Sequence, residues 1–217
     1  MNNSYEYVFF DLDGTLTDSG LGITNCVMYA LEKFNIRVKD RSELFSFIGP
    51  PLKDSFIRQF GFSESDSIRA VDYYRERYST IGLFENEVYD GIREVLEELI
   101  KRGKKLVLAT SKPEFFAVQI LEHFELAKYF FVMAGAAMNE TRLEKWEVIE
   151  YAINQLPTKD TSTMIMVGDR SHDVIGAARK GIETIGVLFG YGSEEELRKA
   201  GARYIAATPA DILDFIP

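Results

Sequence analysis

The hydrophobic pattern changes near residue 17, and the change separates two kinds of expected element. Val8–Phe10 is a short apolar run of β-branched and aromatic residues, which is typical of a strand buried on both faces. Over residues 17–83 the apolar positions recur at helical spacing, and the segment offers no candidate strand. Gly49-Pro50-Pro51 and Gly61 divide this segment into several short helices. The pattern therefore predicts a small helical insert after the first strand.

From Glu87 onward, short apolar runs alternate with amphipathic helical stretches. The expected strands are Lys104–Ala109, Phe130–Ala134, Met164–Val167, Thr184–Val187 and Arg203–Ala206. Strands that alternate with helices in this way predict a parallel sheet with right-handed crossovers. We therefore expect an α/β fold in which residues 1–16 and 84–217 form a Rossmann-like parallel core. Residues 17–83 are expected to form an all-helical domain inserted after the first strand.

Polar residues directly follow three of the expected strands. Asp11 and Asp13 come after the first strand, Thr110 follows the second, and Asp169 follows Met164–Val167. In a parallel sheet the carboxyl ends of the strands share one edge, where α/β proteins place their sites. Two acids at the end of a buried strand repel each other and lose hydration, so they need a cation, a shared proton or solvent. If Asp11 and Asp169 hold one ion, their strands should be neighbours.

The composition excludes some classes of partner and indicates the compartment in which the protein is expected. The 217-residue chain is 46% hydrophobic, which allows a sizeable core, and its formal net charge is −9. That charge argues against nucleic acid polymers and anionic membranes as partners. No apolar run approaches the ~18 residues of a membrane span, and the first residues lack the features of a signal peptide. The single cysteine, Cys26, excludes an internal disulfide.

We therefore expect a cytoplasmic protein, monomeric or homodimeric, that acts on a small molecule. If that molecule is an anion, the global field repels it, so a local metal ion or lysine must attract it. Paired carboxylates suit Mg²⁺, which takes oxygen ligands and keeps positions for water or a substrate phosphate. The sequence contains no cluster of cysteine and histidine that would indicate zinc.

Phosphoryl transfer is a reaction for which these residue types are suited. It needs an in-line nucleophile, neutralisation of charge and a proton donor for the leaving oxygen. Asp11 can be the nucleophile, and Asp13 can protonate the leaving alcohol and then deprotonate water. Thr110 can donate a hydrogen bond to a phosphoryl oxygen, and Lys145 can neutralise the same group. These four residues are the catalytic candidates.

Four segments of the chain, in this order, resemble the four motifs of the haloacid dehalogenase superfamily. They are Asp-Leu-Asp-Gly-Thr-Leu-Thr-Asp at 11–18, Ala-Thr-Ser-Lys-Pro at 109–113, Lys145, and Val-Gly-Asp-Arg-Ser-His-Asp at 167–173. The resemblance covers essentially the whole chain, and the helical insert is similar to the superfamily's cap domain. The most similar branch contains phosphoglycolate phosphatases and bacterial 5′-nucleotidases. Gly-Ile-Thr-Asn-Cys-Val-Met-Tyr-Ala-Leu at 22–31 resembles the nucleotidase-like group somewhat more.

The resemblance implies a role for each acid. Asp11 would form an aspartyl-phosphate, and Asp13 would be the general acid/base and bind Mg²⁺ through its backbone carbonyl. Asp169 would be the other direct metal ligand, and Asp173 would orient metal-bound waters or Lys145. The implied function is Mg²⁺-dependent hydrolysis of small phosphomonoesters, with phosphoglycolate and nucleoside 5′-monophosphates as the expected substrates.

Residues beyond the acids are expected to contact the substrate. In relatives, the region of the cap that contains the Gly-Pro-Pro turn faces the active site. The predicted substrate-binding residues are Gly14, Gly49, Lys53, Thr110, Ser111 and Lys145.

Other polar residues have simpler expected roles. Lys112 and Arg142 are expected to be surface charges, and His123 and His172 are expected to be structural or solvated. An alternative interpretation is that Asp173 caps its helix, since aspartate is favoured at helix N-termini.

Three other functions are compatible with the fold. A dehalogenase needs no Mg²⁺ and would leave Asp13 idle. A phosphosugar mutase of this type uses a cap histidine, whereas residues 17–83 contain no histidine. A catalytically silent binding module would be favoured by loss of a motif residue, yet Asp11, Asp13, Lys145 and Asp169 are all present. The phosphatase is the favoured hypothesis, and the mutase and the binding module are the alternatives.

Overall fold

In the computed structural model, which describes residues 5–139 and 141–217, strands and helices alternate over most of the chain. The strands are β1 Tyr7–Phe10, β2 Thr17–Asp18, β3 Glu87–Val88, β4 Lys105–Pro113, β5 Phe130–Ala136, β6 Met164–Gly168, β7 Glu183–Val187 and β8 Tyr204–Ala206. The α-helices are α1 Gly20–Glu32, α2 Leu52–Phe60, α3 Glu64–Arg77, α4 Ile92–Lys101, α5 Glu114–His123, α6 Lys145–Gln155, α7 Ser171–Ala178 and α8 Glu194–Ala200. Short 3₁₀ helices span Arg41–Phe47, Ala127–Tyr129, Thr161–Thr163 and Pro209–Asp214, and a π-helical turn spans Tyr78–Gly82. None of the helices described is both long enough and apolar enough to cross a membrane.

The central sheet has six strands in the order β5-β4-β1-β6-β7-β8. Every neighbouring pair in it is parallel, which confirms the predicted α/β fold. β1 lies between β4 and β6, so that Phe9 is opposite Val107 on one side and Met166 on the other. The strands that lead to Asp11 and Asp169 are therefore neighbours, which was the condition for a shared ion.

The apolar run of β1 is continuous because the strand is buried on both faces. Tyr7 and Phe9 belong to a core cluster with residues of α6 and α7, among them Ile149 and Ala177. Val8 and Phe10 point to the opposite face, since successive side chains alternate along a strand. Both are also fully buried. This burial fixes β1 at the centre of the sheet and sets the position of the residues that follow it.

The chain divides into two compact units. One contains the six-stranded sheet and comprises the residues up to Thr17 and from Val88 onward; the other comprises Asp18–Glu87. β2 and β3 form a two-stranded sheet where the chain passes between the units. The expectation that residues 17–83 contain no strand is thus wrong for β2, because two residues are too few to show an alternating pattern.

Aromatic residues form much of the core of the helical unit. The rings of Phe47 and Phe56 meet edge to face at 4.9 Å, and Phe56 stacks on Phe62 at 5.7 Å. α2 ends at Gly61, and the Ser63 side chain accepts a hydrogen bond from the Asp66 amide at the start of α3. The break between these helices at Gly61 was predicted from the sequence. Arg77 adds an ion pair with Glu85 at 2.7 Å, which ties α3 to the segment that returns to the core.

Candidate active site

Three buried aspartates meet at the carboxyl ends of β1 and β6. The backbone N–H of Asp11 donates to the carbonyl of Val167 at 3.0 Å, which extends the pairing of β1 with β6 by one residue. Asp169 follows β6 directly, and Asp173 lies in the first turn of α7. Carboxylate oxygens of Asp11, Asp169 and Asp173 lie within 4.8 Å of one another. The structure therefore brings together three of the predicted metal-site residues.

Lys145 lies between two of these acids. Its Nζ is 2.8 Å from Asp11 Oδ1 and 2.7 Å from Asp173 Oδ1, and it donates to the carbonyl of Ala109 at 3.1 Å. Only 3% of the side chain is exposed. A buried ammonium group held by two carboxylates and a carbonyl has little freedom to move. Lys145 therefore fixes the position of Asp11 relative to α6 and α7.

The close approach of α7 to α6 depends on Gly176. A Cβ at that position would lie 2.7 Å from Lys145 Cγ and 3.1 Å from the Trp146 amide nitrogen. The missing side chain leaves the space through which Lys145 extends. The sequence pattern did not indicate this role for Gly176.

Arg142 ties the loop before Lys145 to β5. Its Nε donates to the carbonyl of Gly135 at 2.8 Å, and its Nη2 pairs with Glu114 at 3.1 Å. The guanidinium also lies 3.6 Å from the centre of the Tyr151 ring. The expectation of a surface charge is wrong for Arg142, because the side chain is only 19% exposed and has partners on three sides.

Asp169 is enclosed by loops that converge on its carboxylate. Oδ2 accepts a hydrogen bond from the Tyr191 amide at 2.8 Å. Gly14, whose φ is +81°, leaves the space on another side, since a Cβ there would lie 2.2 Å from Oδ2. The predicted substrate-binding residue Gly14 thus packs against Asp169. The segment around Tyr191 was missed, and its signal was a glycine on each side of Tyr191 just after a buried strand.

Asp173 caps its helix and also pairs with Lys145, whereas its role at a metal ion stays a prediction. Its Oδ2 accepts from the Arg170 amide at 3.0 Å, while its Oδ1 contacts Lys145. Burial raises the pKa of Asp173 to about 6, although Lys145 acts in the opposite direction. Burial also raises the pKa of Asp169 well above its usual value, and the charges of Asp173 and Asp11 add to this effect. Both shifts follow mainly from burial, which disfavours the charged form of a carboxyl group.

The charge of Lys145 is stabilised by the same acids. Burial alone would lower the pKa of Lys145, but the charges of Asp11 and Asp173 outweigh it and the net shift is upward. Lys145 therefore stays protonated over the whole physiological range of pH.

Asp13 lies outside the cluster of three acids and has a different partner. Its Oδ2 is 2.7 Å from Lys112 Nζ, and the two side chains are 10% and 5% exposed. The expectation of a surface charge is wrong for Lys112. β4 continues to Pro113 instead of ending at Ala109, so residue 112 lies within the sheet.

Thr110 and Ser111 precede Lys112 in β4. Thr110 is fully buried, and its hydroxyl oxygen accepts a hydrogen bond from the Lys112 amide at 3.2 Å. Ser111 is half-buried. Thr110 is therefore held with its own hydroxyl proton available to an acceptor.

Gly49 and Lys53 belong to the helical unit. Lys53 forms an ion pair with Glu64 at 2.7 Å, and Gly49 has a φ of +102°. A substrate contact by either residue stays a prediction.

The two histidines differ in environment. His123 is exposed at the end of α5. His172 lies in the first turn of α7, where burial, helped by the charges of Arg170 and Lys145, lowers its pKa to about 4. His172 is therefore neutral at pH 7.

The residues present fit a divalent cation of the Mg²⁺ type. Four buried carboxylates face two ammonium groups, so negative charge exceeds positive charge at the strand ends. The available donors are carboxylate and carbonyl oxygens, which are the ligands that Mg²⁺ prefers. Asp11 and Asp169 would hold such an ion, and the carbonyl of Asp13 lies two residues after Asp11.

Comparisons with known proteins agree with the fold and the motifs. Residues 8–187 match the profile of the haloacid dehalogenase-like hydrolase family. A 5′-nucleotidase of Pseudomonas aeruginosa is 45% identical over 194 residues, which cover 89% of this chain and 87% of that protein. Tyrosine-protein kinase PtkA of Mycobacterium tuberculosis is 39% identical over 203 residues, which cover 93% of this chain and 68% of that protein. The crystal structure of a predicted phosphatase from Clostridium acetobutylicum has a TM-score of 0.92 and 49% identity, with 97% and 99% of the two chains covered.

Proposed function

The chain belongs to the haloacid dehalogenase-like hydrolases and is a phosphatase of that family, and on this basis we propose its metal, mechanism and substrates. It is proposed to hydrolyse small phosphomonoesters with Mg²⁺ through a phosphate ester on Asp11. The observation that carries the proposal is the position of Lys145, which contacts Asp11 at 2.8 Å beside Asp169 and Asp173. This arrangement neutralises a buried carboxylate at the point where an anionic phosphate must approach it.

In the proposed first step, one bond to phosphorus forms and another bond to phosphorus breaks. Oδ2 of Asp11 attacks, because Oδ1 is held by Lys145. The bond from phosphorus to the ester oxygen breaks, and that oxygen takes a proton from Asp13. In the second step Asp13 takes a proton from water, the water oxygen attacks phosphorus, and the bond from phosphorus to Asp11 breaks. A single carboxyl group thus serves as acid and then as base.

Other residues are proposed to hold the phosphoryl group. Thr110 is proposed to donate its hydroxyl proton to a phosphoryl oxygen; its oxygen accepts from the Lys112 amide, which supports this role. Lys145 is proposed to neutralise charge on the same group. Mg²⁺ held by Asp11, Asp169 and the carbonyl of Asp13 would supply further neutralisation, with Asp173 orienting Lys145 and the metal-bound waters.

Nucleoside 5′-monophosphates are the proposed first substrates to test, because a relative with 45% identity over 89% of this chain is a 5′-nucleotidase. Phosphoglycolate is the other expected substrate. Residues 17–83 are proposed to be the cap domain of the family, and the predicted substrate contacts there are Gly49 and Lys53. Ser111 and Gly14 are the predicted contacts in the core.

Protein tyrosine phosphorylation is a second candidate activity, since a relative with 39% identity is a tyrosine-protein kinase. It would replace water by a tyrosine hydroxyl as the final acceptor. Incubation with ATP and a tyrosine peptide, followed by mass spectrometry, distinguishes the two. A kinase gives phosphotyrosine, whereas the proposed phosphatase leaves the tyrosine peptide unmodified.

The proposed function is tested by measuring phosphate release from a panel of phosphomonoesters with Mg²⁺ and with EDTA. We expect release with Mg²⁺ and loss of release with EDTA. Asp11→Asn should abolish release while the protein folds normally, and Asp214→Asn, which changes an exposed aspartate, should not. Ordinary rates in Asp11→Asn, or full activity in EDTA, would contradict the proposal.

A further inference from the structure

Lys112 forms an ion pair that is buried on both sides. Nζ lies 2.7 Å from Asp13 Oδ2, and the exposures of the two side chains are 5% and 10%. Burying two charges costs hydration free energy that their attraction barely returns, and apolar residues of the same volume would often be as stable. The burial of this ion pair is therefore weak evidence that the pair stabilises the fold. A role in the reaction is the alternative explanation.

The two oxygens of Asp13 have different surroundings. Oδ2 contacts Lys112, whereas Oδ1 is buried and has no hydrogen-bond partner among the residues that the structure describes. A carboxylate whose one oxygen is held by an ammonium group cannot rotate freely. It therefore presents its other oxygen in one orientation.

Lys112 also contacts the neighbouring candidate for phosphoryl binding. Its amide donates to the hydroxyl oxygen of Thr110 at 3.2 Å. The backbone of Lys112 thus orients Thr110, and its side chain orients Asp13. Because β4 pairs with β1, this one residue links the end of β4 to the loop that follows β1.

We propose that Lys112 is a positioning residue that holds Asp13 so that only Oδ1 exchanges protons with the leaving oxygen and with water. The inference rests on the proposed phosphatase mechanism, in which Asp13 is the acid and base. Lys112 itself donates no proton and contacts no reacting atom. It acts by fixing the direction of one carboxylate.

The dependence of rate on the leaving group tests this role. An alkyl phosphate, such as a nucleoside 5′-monophosphate, has a basic leaving oxygen that needs a proton. A nitrophenyl phosphate has a weakly basic leaving oxygen that departs without one. The quantity to compare is kcat/KM, because it covers the steps up to departure of the leaving group. A loss of proton donation slows the alkyl ester selectively, whereas a general structural defect slows both esters.

Lys112→Met is the principal variant. We expect kcat/KM for the alkyl ester to fall by about 10²-fold and that for the nitrophenyl ester by much less, since general acid catalysis contributes about 10²–10⁴-fold. Asp13→Asn should show the same selectivity. The double variant should be no slower than Asp13→Asn alone, because both changes remove one function. Lys112→Arg keeps the charge and should recover part of the lost rate.

Lys105→Met is the matched control at the other end of β4. Lys105 pairs with Glu6 at 2.8 Å, but its side chain is 40% exposed and the pair lies away from the strand ends that carry the acids. Lys105→Met should therefore leave kcat/KM unchanged for both esters. Circular dichroism checks folding of each variant, and Lys112→Arg, which leaves no unpaired buried charge, carries the comparison if Lys112→Met fails to fold.

An equal loss of rate for both esters in Lys112→Met, or a further loss in the double variant, would overturn the role of Lys112. In that event wild type would still release phosphate, and Asp13→Asn would still discriminate between the esters. If instead the proposed function is wrong, wild type releases no phosphate with Mg²⁺, or Asp13→Asn shows no selectivity. The two failures are therefore distinguishable.

Discussion

At the scale of single residues, two buried lysines contact three of the four buried acids at the strand ends. Lys145 contacts Asp11 and Asp173, and Lys112 contacts Asp13. The arrangement gives the proposed nucleophile and the proposed acid/base separate cationic partners. Asp11 and Asp13 are therefore held by different lysines. A substitution of Lys145 should mainly affect the nucleophile, and a substitution of Lys112 should mainly affect the acid/base.

His172 gives a prediction about pH and stability. Burial lowers its pKa in the folded protein to about 4, below its ordinary value of 6.5. Protonation therefore favours the unfolded chain, and the stability that neutral His172 contributes above pH 6.5 is lost as the pH falls towards 4. We expect wild type to lose about 3 kcal/mol of unfolding free energy from this group by pH 4, and His172→Gln to be spared that loss.

Urea unfolding of wild type, His172→Gln and His123→Gln at several pH values measures this effect. His123 is exposed, so its variant is the control and should follow wild type at each pH. A His172→Gln variant that loses as much stability in acid as wild type would show that His172 titrates normally in the folded protein.

The sequence indicated some site residues because their chemistry is unusual for their position. Asp11, Asp13 and Asp169 were found as acids directly after apolar strands, and the structure brings Asp11 and Asp169 together. The sequence predicts a surface charge at Lys112, because burial of a lysine depends on tertiary contacts that no local pattern contains. The Tyr191 amide was missed for a similar reason, since every residue except proline has a backbone N–H and only the fold directs this one at Asp169.

At the scale of elements, the packing of α6 against α7 sets the position of Lys145. Gly176→Ala would ordinarily stabilise a helix by about 0.5–1 kcal/mol. Here the added methyl group would lie 2.7 Å from Lys145 Cγ, so we expect the helices to separate or Lys145 to shift. The variant should lose unfolding free energy, and its kcat for phosphomonoesters should fall at least about tenfold, since small misplacements at reacting groups are costly.

Gly201→Ala provides the control for this prediction. Its φ is +100°, so the change strains the backbone, but a Cβ there has no neighbour within 4 Å. Thermal unfolding should show a loss of about 1 kcal/mol with unchanged kcat. If Gly176→Ala also kept its kcat, the proposed link between the helix spacing and Lys145 would be wrong.

Element prediction succeeded where a pattern was long and failed where it was short. α2 ends just before Gly61 as predicted, and the apolar runs after Glu87 form the parallel strands. β4 was predicted to end at Ala109, but its pairing with β5 includes Thr110 and resumes at Pro113 after an irregularity. Long-range pairing of this kind is set by the neighbouring strand and not by the residues themselves.

At the scale of the whole molecule, net charge opposes the expected substrate. The formal charge is −9, and a phosphomonoester is an anion. Salt shortens the range of this repulsion, with a Debye length of about 10 Å at 0.1 M. We therefore expect kcat/KM to rise about twofold when inert salt is increased tenfold at saturating Mg²⁺, while kcat stays constant.

Steady-state kinetics at several salt concentrations measure this effect, and kcat is the internal control because it reports on substrate already bound. A steady fall of kcat/KM with salt would show that local cations attract the substrate more strongly than the global charge repels it.

The central claim is that the carboxylate of Asp11 carries the phosphoryl group during turnover. Mass spectrometry of the protein quenched in acid while it hydrolyses its best substrate tests this directly. We predict one added phosphoryl group on the peptide that contains Asp11, absent from Asp11→Asn and from protein quenched without substrate. Rapid hydrolysis with no modified peptide, or with the phosphoryl group on another residue, would contradict the account.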